Sequence, residues 1–126
     1  LHYFMNSTST FSHLFSPVDL REKTFRNHIV FGAYIANMAD QGIPRERHLC
    51  YYREWAIGGA AMLVIKPVPV HAAAVLTRGN CKHSSDEVIP HFRKITDAVH
   101  EEGGLILQQL YHVGEHGDAD NSCHPN

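Results

Sequence analysis

Apolar positions along the chain fall into three short continuous runs, separated by two stretches of helical periodicity. The runs are Ile29–Ala33 (IVFGA), Ala60–Ile65 (AAMLVI) and Leu105–Leu110 (LILQQL). Each is too short for a helix and rich in β-branched or aliphatic residues, as expected of strands buried on both faces. Between the first two, Leu49, Tyr52 and Ala56 recur at helical spacing, predicting a helix over Arg45–Ile57 with Pro44 at its first position and Gly58-Gly59 as its stop. Between the second and third, Val88, Ile89, Phe92, Ile95 and Val99 mark one apolar face. Ser84 and Glu87 stand three apart as a capping box before it, Pro90 falls in its first turns, and Gly103-Gly104 closes it. Lys66–Ser84, with Pro67, Pro69 and Gly79, is expected to be a long loop.

Ahead of the first strand, Leu14–Val30 carries apolar positions on either side of Arg21-Glu22-Lys23, which predicts a hairpin. Leu1–Ser16 is polar, Ser/Thr-rich and aperiodic. Residues 1–13 are expected to be a mobile tail, with Met5 a candidate start, and 14–126 a single structural segment. The order is then hairpin, β, α, β, α, β, which implies parallel strands with right-handed crossovers. A doubly wound nucleotide-binding sheet would carry GxGxxG after its first strand. That motif is absent, so a (β/α)8 TIM barrel is favoured. Such a barrel takes roughly 250 residues. The chain would hold its N-terminal hairpin and about the first three strands, and both chain ends look like the ends of a piece.

Composition narrows the function classes. The 126 residues carry a formal net charge of -2 and no basic cluster, against a general nucleic-acid binder. No apolar run approaches the ~20 residues of a membrane span, and the N-terminal stretch lacks the layout of a signal peptide. Three widely spaced cysteines, Cys50, Cys81 and Cys123, suit a reducing compartment, and the expected setting is cytoplasmic. The chemistry-bearing residues gather after the third strand, at Gln108, Gln109, His112, Glu115 and His116. Alternation sends Gln108 toward the outer helix layer and Gln109 to the other side. Strand C-termini are where barrels build sites. His112, His116, Asp118, Asp120, Cys123 and His124 could also ligate metal, but their spacing matches no zinc template, and no metal site is assigned. Tyr51, Tyr52 and Trp55 are expected in helix packing, Cys50 as a small buried hydrophobe, and Arg45, Glu46, Arg47, Arg53 and Glu54 on a solvated face. Lys66 is open between an anion or flavin contact and a solvated or ion-paired surface lysine.

The frame LFSPVDL…FRNHIVFGA, DQGIPRERHLCYYREWAIGGAAMLVI and VIPHFRKITDAVHEEGGLILQQLYHVG resembles the N-terminal part of the old yellow enzyme family. Within that family it is most similar to the branch of trimethylamine dehydrogenase, 2,4-dienoyl-CoA reductase and N-methyl amino-acid demethylases. The resemblance covers Leu14–Asn126. It implies FMN bound at the mouth of the barrel, with NAD(P)H or an N-methylated amine as electron donor and a small-molecule substrate. Gln109 matches the glutamine at the flavin pyrimidine edge, and an amide can both donate and accept there. Gly32, Ala33 and Tyr34 match the turn lying against the ring. Ile35 stands where many members have Thr or Cys, Pro67 where they have Gly or Ala, and Lys66 replaces a frequent Glu. His112 matches the histidine of an HxG motif and is a substrate-side candidate, while Glu115 replaces the arginine that follows.

The resemblance puts the catalytic residues, the phosphate-binding loops and any iron–sulfur cluster downstream of Asn126. Two other readings stand beside it. One is a truncated, non-catalytic chain needing an oligomer or a completing partner. The other is a His-rich metal-binding module.

Overall fold

The computed structural model describes residues 10–74, 79–81 and 85–114. The hairpin forms where the charged turn predicted it. β1 (Val18–Leu20) and β2 (Lys23–Phe25) pair antiparallel, and Arg21 takes the left-handed turn conformation (φ 53). Residues 10–16 form a turn anchored by a bond from the His28 N–H to the Leu14 carbonyl. The remainder of the expected tail, residues 1–9, lies outside the described residues.

Three parallel strands follow in the spatial order β3 (Val30–Phe31), β4 (Met62–Pro69) and β5 (Leu105–Tyr111). Helix α1 (Glu46–Ile57) connects the first pair and α2 (Ile89–Glu101) the second. The helices pack on each other as well as on the sheet, so both crossovers lie on the same face. Sequential strand order with helices on one side is an arc of a barrel. A doubly wound sheet would reverse its order and place helices on both faces.

The core lies between this arc and the helices. Tyr52, Ala56, Ala60, Leu63, Ile65, Ile95 and Val99 are buried there, with Phe31, Leu49, Phe92 and Ile106 packed against them. Burying these aliphatic side chains contributes roughly 1.5–3 kcal/mol each for the larger ones. Trp55 stacks on Phe31 at 4.2 Å between ring centroids, and Tyr51 meets Phe31 edge-on at 5.9 Å. The aromatic cluster on α1 is thus helix–sheet packing, as its spacing implied.

Several boundaries differ from the sequence reading. Pro44 is buried ahead of the helix, whose N-cap is Arg45, rather than at its first position. Cys50 is exposed, its thiol 3.8 Å from Glu46 Oε1, because it sits on the solvent face of α1. Ser84 lies outside the described residues. Ser85 accepts the N–H of Glu87 and caps a short 3-10 turn (Asp86–Val88), after which α2 begins.

The largest correction is β4, which continues through Lys66–Pro69 where a loop was expected. A register shift allows it, because Ile65 pairs with Gln108 and Val68 with Leu110, so Lys66 and Pro67 together oppose Gln109. The bulge frees polar backbone groups that side chains then satisfy. The Lys66 N–H donates to Tyr52 Oη at 2.8 Å, and the Lys66 carbonyl accepts from Gln108 Nε2 at 2.8 Å. Pro67 has no N–H to strand.

The segment 79–81 is held against the turn after β3. The Ala39 N–H donates to the Gly79 carbonyl at 3.0 Å, and a Cβ at Gly79 would overlap the Asn37 backbone. Gly79→Ala is therefore expected to cost about 2 kcal/mol by overpacking. The loss should appear first as faster hydrogen exchange at Ala39. Unchanged protection there would show that the backbone relaxes without cost.

Candidate functional site

The C-terminal ends of the three strands form one rim. On β5, Ile106 packs into the core and Gln108 bonds the bulge carbonyl, so alternation places Leu107 and Gln109 on the concave face, away from the helices. Gln109 is exposed and stands directly opposite Lys66 and Pro67. The ladder pairs Phe31 with Leu63, so Gly32, Ala33 and Tyr34 leave β3 beside the bulge's approach. The fold therefore brings Gly32, Ala33, Tyr34, Pro67 and Gln109 to one edge of the sheet, and Ile35 follows, half-buried.

The rim is open. Tyr34 is 63% exposed, and a Cβ at Gly32 would meet nothing within 4 Å. A flat ring can approach the backbone there without displacing a side chain. This fits a flavin, with an amide at Gln109 for a hydrogen-bonding edge and bare backbone at Gly32 for a face. Ile35 and Pro67 add no side-chain donor. A second depression, about 710 Å³ between α2 and β5, is apolar and lined by Val68, Ile89, Phe92 and Ile106. It is bounded along β5 by Ile106, Leu107 and Gln108 and does not include Gln109.

His112 follows β5 on the same rim. Its Nδ1 accepts the Gly114 N–H at 2.9 Å, which leaves Nε2 as the proton-bearing nitrogen of the neutral ring. The His71 ring, after β4, lies 5.8 Å away centroid to centroid. Tyr111 Oη donates to the Ala74 carbonyl at 2.6 Å and accepts from Asn80 Nδ2 at 2.7 Å, tying the two strand ends together. Among the described residues no three His, Cys, Asp or Glu side chains could hold a metal ion. Glu115, His116, Asp118, Asp120, Cys123 and His124 lie outside the described residues.

Of the four buried polar side chains among the described residues two carry titratable groups, and neither was singled out as buried from the sequence. Lys66 is fully enclosed, which removes the solvated reading. Its Nζ donates to the Gly79 carbonyl at 3.0 Å and contacts Cys81. Burial lowers the Lys66 ammonium from its usual value, partly offset by the Cys81 sulfur. Burial likewise raises the Cys81 thiol, which Lys66 opposes. His48 is also fully enclosed. Desolvation, then the charges of Lys66 and Arg47, push it down to about 4. The bulge that turns Lys66 inward leaves no periodic signal in the sequence, whereas His48 stands four residues before Tyr52 on the buried face of α1, a spacing that could have marked it.

The profile of the NADH:flavin oxidoreductase / NADH oxidase family matches residues 13–126. The N,N-dimethylglycine/sarcosine dehydrogenase of Chromohalobacter salexigens is 34% identical over 108 residues, covering 82% of this chain and 15% of that protein. A probable N-methylproline demethylase of Rhizobium meliloti is 37% identical over 102 residues, covering 80% of this chain and 15% of its own length. The solved old yellow enzyme of Trypanosoma cruzi superposes with a TM-score of 0.78 at 33% identity, covering 86% of this chain and 29% of that one. The chain thus spans less than a third of the length of each of these relatives. Among the described residues no helix is long and apolar enough to cross a membrane. The chain belongs to the NADH:flavin oxidoreductase / NADH oxidase family, and it holds the N-terminal hairpin and first three strands of that family's (β/α)8 barrel.

Proposed function

We propose that this segment supplies the pyrimidine-edge wall of an FMN site in an oxidoreductase. That enzyme passes hydride between NAD(P)H, or an N-methylated amine, and an acceptor. The observation that supports this best is the placement of Gln109, exposed on the concave face and opposite the Lys66–Pro67 bulge. FMN, when bound, supplies electron chemistry at its N5. The chain's own residues bind and orient. The Gln109 amide donates and accepts at the ring edge, and the backbone of Gly32, Ala33 and Tyr34 offers a face without a bulky side chain. Ile35 and Pro67 contribute contact and no hydrogen bond, so tuning of the ring falls to Gln109 and to strands outside this chain. His112 Nε2–H is a donor on the substrate side of the rim.

The N-methylated amine is supported by the names of the two relatives above, and an activated alkene is the alternative substrate. The catalytic residues belong to later strands in this reading, and the sparse cysteines suit a cytoplasmic setting. The open concave face supports a companion point: the segment works only with the rest of the barrel or a partner supplying it. Leu107 is 55% exposed on that face, and among the described residues its strand is paired along one edge alone.

Flavin fluorescence titration tests the assignment, with the remaining strands supplied in the same polypeptide or in trans. Gln109→Leu is expected to weaken FMN binding about tenfold, the worth of one good hydrogen bond. Wild-type affinity in that variant would remove Gln109 from the site.

A further inference from the structure

Lys66 and Cys81 form a buried amine–thiol pair beside the mouth end of β4. Both are essentially inaccessible, at 0% and 1% exposure. The Lys66 ammonium is fixed from one side by the Gly79 carbonyl at 3.0 Å, two residues before Cys81, and the amine and the Cys81 sulfur lie close enough to perturb each other. The Cys81 N–H is itself held, by Asn80 Oδ1 at 2.9 Å, so the sulfur is presented from a fixed backbone. The neighbouring His48 ring is fully enclosed and finds no hydrogen-bond partner among the described residues. The Lys66 amine is therefore the nucleophile held nearest the sulfur, in a site closed to bulk solvent.

We propose that Lys66 and Cys81 are a modification site, at which peroxide converts the pair into a covalent sulfur–nitrogen crosslink. In the first step the Cys81 sulfur attacks hydrogen peroxide. The O–O bond breaks, an S–O bond forms, and water leaves, giving the sulfenic acid. In the second step the Lys66 Nζ lone pair attacks sulfur. The S–O bond breaks, the S–N bond forms, and the departing hydroxide takes the nitrogen's proton as a second water. Cysteine loses two electrons and peroxide gains them. Burial favours the second step, because it pulls Lys66 toward the neutral, nucleophilic amine. Burial also slows the first, because it keeps Cys81 in the thiol form. Exposed Cys50 should therefore oxidise sooner but without a partner amine, so the two cysteines differ in product as well as in speed. The crosslink would tie the 79–81 segment to the bulge opposite Gln109, fixing one side of the rim.

The test is mass spectrometry on the intact chain after treatment with hydrogen peroxide. Trypsin does not cut Lys66-Pro67, so the bridge would join the peptide of residues 54–78 to that of residues 79–82. The expected mass is about 2 Da below the sum of the two peptides, and dithiothreitol should restore them. Cys50→Ser, an exposed change, should keep the bridge, and Cys81→Ser and Lys66→Gln should abolish it. Four results would overturn the proposal. They are Cys81 recovered as free thiol or sulfinic acid while Cys50 is oxidised, a disulfide in place of the bridge, an oxygen retained between sulfur and nitrogen, or an equal yield from chain unfolded in urea.

Discussion

Replacing Arg26 by Ala is expected to destabilise the chain by about 3–4 kcal/mol, a loss comparable to removing one partner of a buried charged hydrogen bond. Arg26 follows β2 and reaches under the sheet to the ends of both helices. Its Nη1 donates to the Glu102 carbonyl at 2.8 Å, just past α2, and its Nη2 donates to the carbonyls of Ala56 and of Ala60 (2.7 Å) at the end of α1. Helix C-termini leave carbonyls without partners and carry the negative end of the helix dipole. One planar guanidinium therefore caps two helices and pins the hairpin across the base of the arc. Asn27 extends the clamp, donating to the Gly59 carbonyl at 2.8 Å and accepting the Ile29 N–H at 2.9 Å. Arg26→Lys separates charge from geometry. An ammonium keeps the cation but cannot fork to both helices, so it should recover less than half of the loss. Urea unfolding of the three proteins measures this. Full recovery by Lys would mean that charge alone matters.

Arg26 also shows what the sequence could and could not reveal. The hairpin, both helices and all three strands were legible, because each rests on local signals: apolar runs, helical periodicity and glycine stops. Arg26, by contrast, sits in an ordinary polar stretch. Its role exists only once β2, α1 and α2 converge from positions 30 and 76 residues away. The same holds for β4. Prolines at 67 and 69 argue locally against a strand. Tyr52 and Gln108 satisfy the groups that a bulge exposes, so the strand persists.

The candidate site divides in the same way. Gln109 was readable because strand alternation fixes its side once Ile106 is buried. Gly32, Ala33, Tyr34, Ile35 and Pro67 were named by resemblance, and the ladder register brings most of them to one rim. Nothing in spacing suggested that Lys66 would turn inward to Gly79 and Cys81. A lysine after an apolar run ordinarily marks the end of burial, and here the bulge reverses its side.

His48 should make the chain lose about 3 kcal/mol of stability as pH falls from 6.5 to 4. The ring is enclosed, and neither nitrogen has a partner among the described residues, so only the neutral form is tolerated. Desolvation is the main cause of its pKa of about 4, with Lys66 and Arg47 adding repulsion. In the unfolded chain the ring titrates near its ordinary 6.5. Between the two values the unfolded state holds a proton that the folded state does not, so stability rises with pH across this window. Above 6.5 both states are neutral and the dependence stops. Carboxylates titrate in the lower part of the same range, so the variant must be compared with the parent at each pH. His48→Leu, which keeps an apolar side chain of similar reach, should flatten the difference between pH 4 and 6.5. It should be neutral or slightly stabilising at pH 7, since it removes two unsatisfied nitrogens from the interior. Urea midpoints at half-unit intervals of pH measure the slope. If parent and His48→Leu lose stability in parallel down to pH 4, the acid sensitivity belongs to other groups and the ring is hydrated or paired in solution.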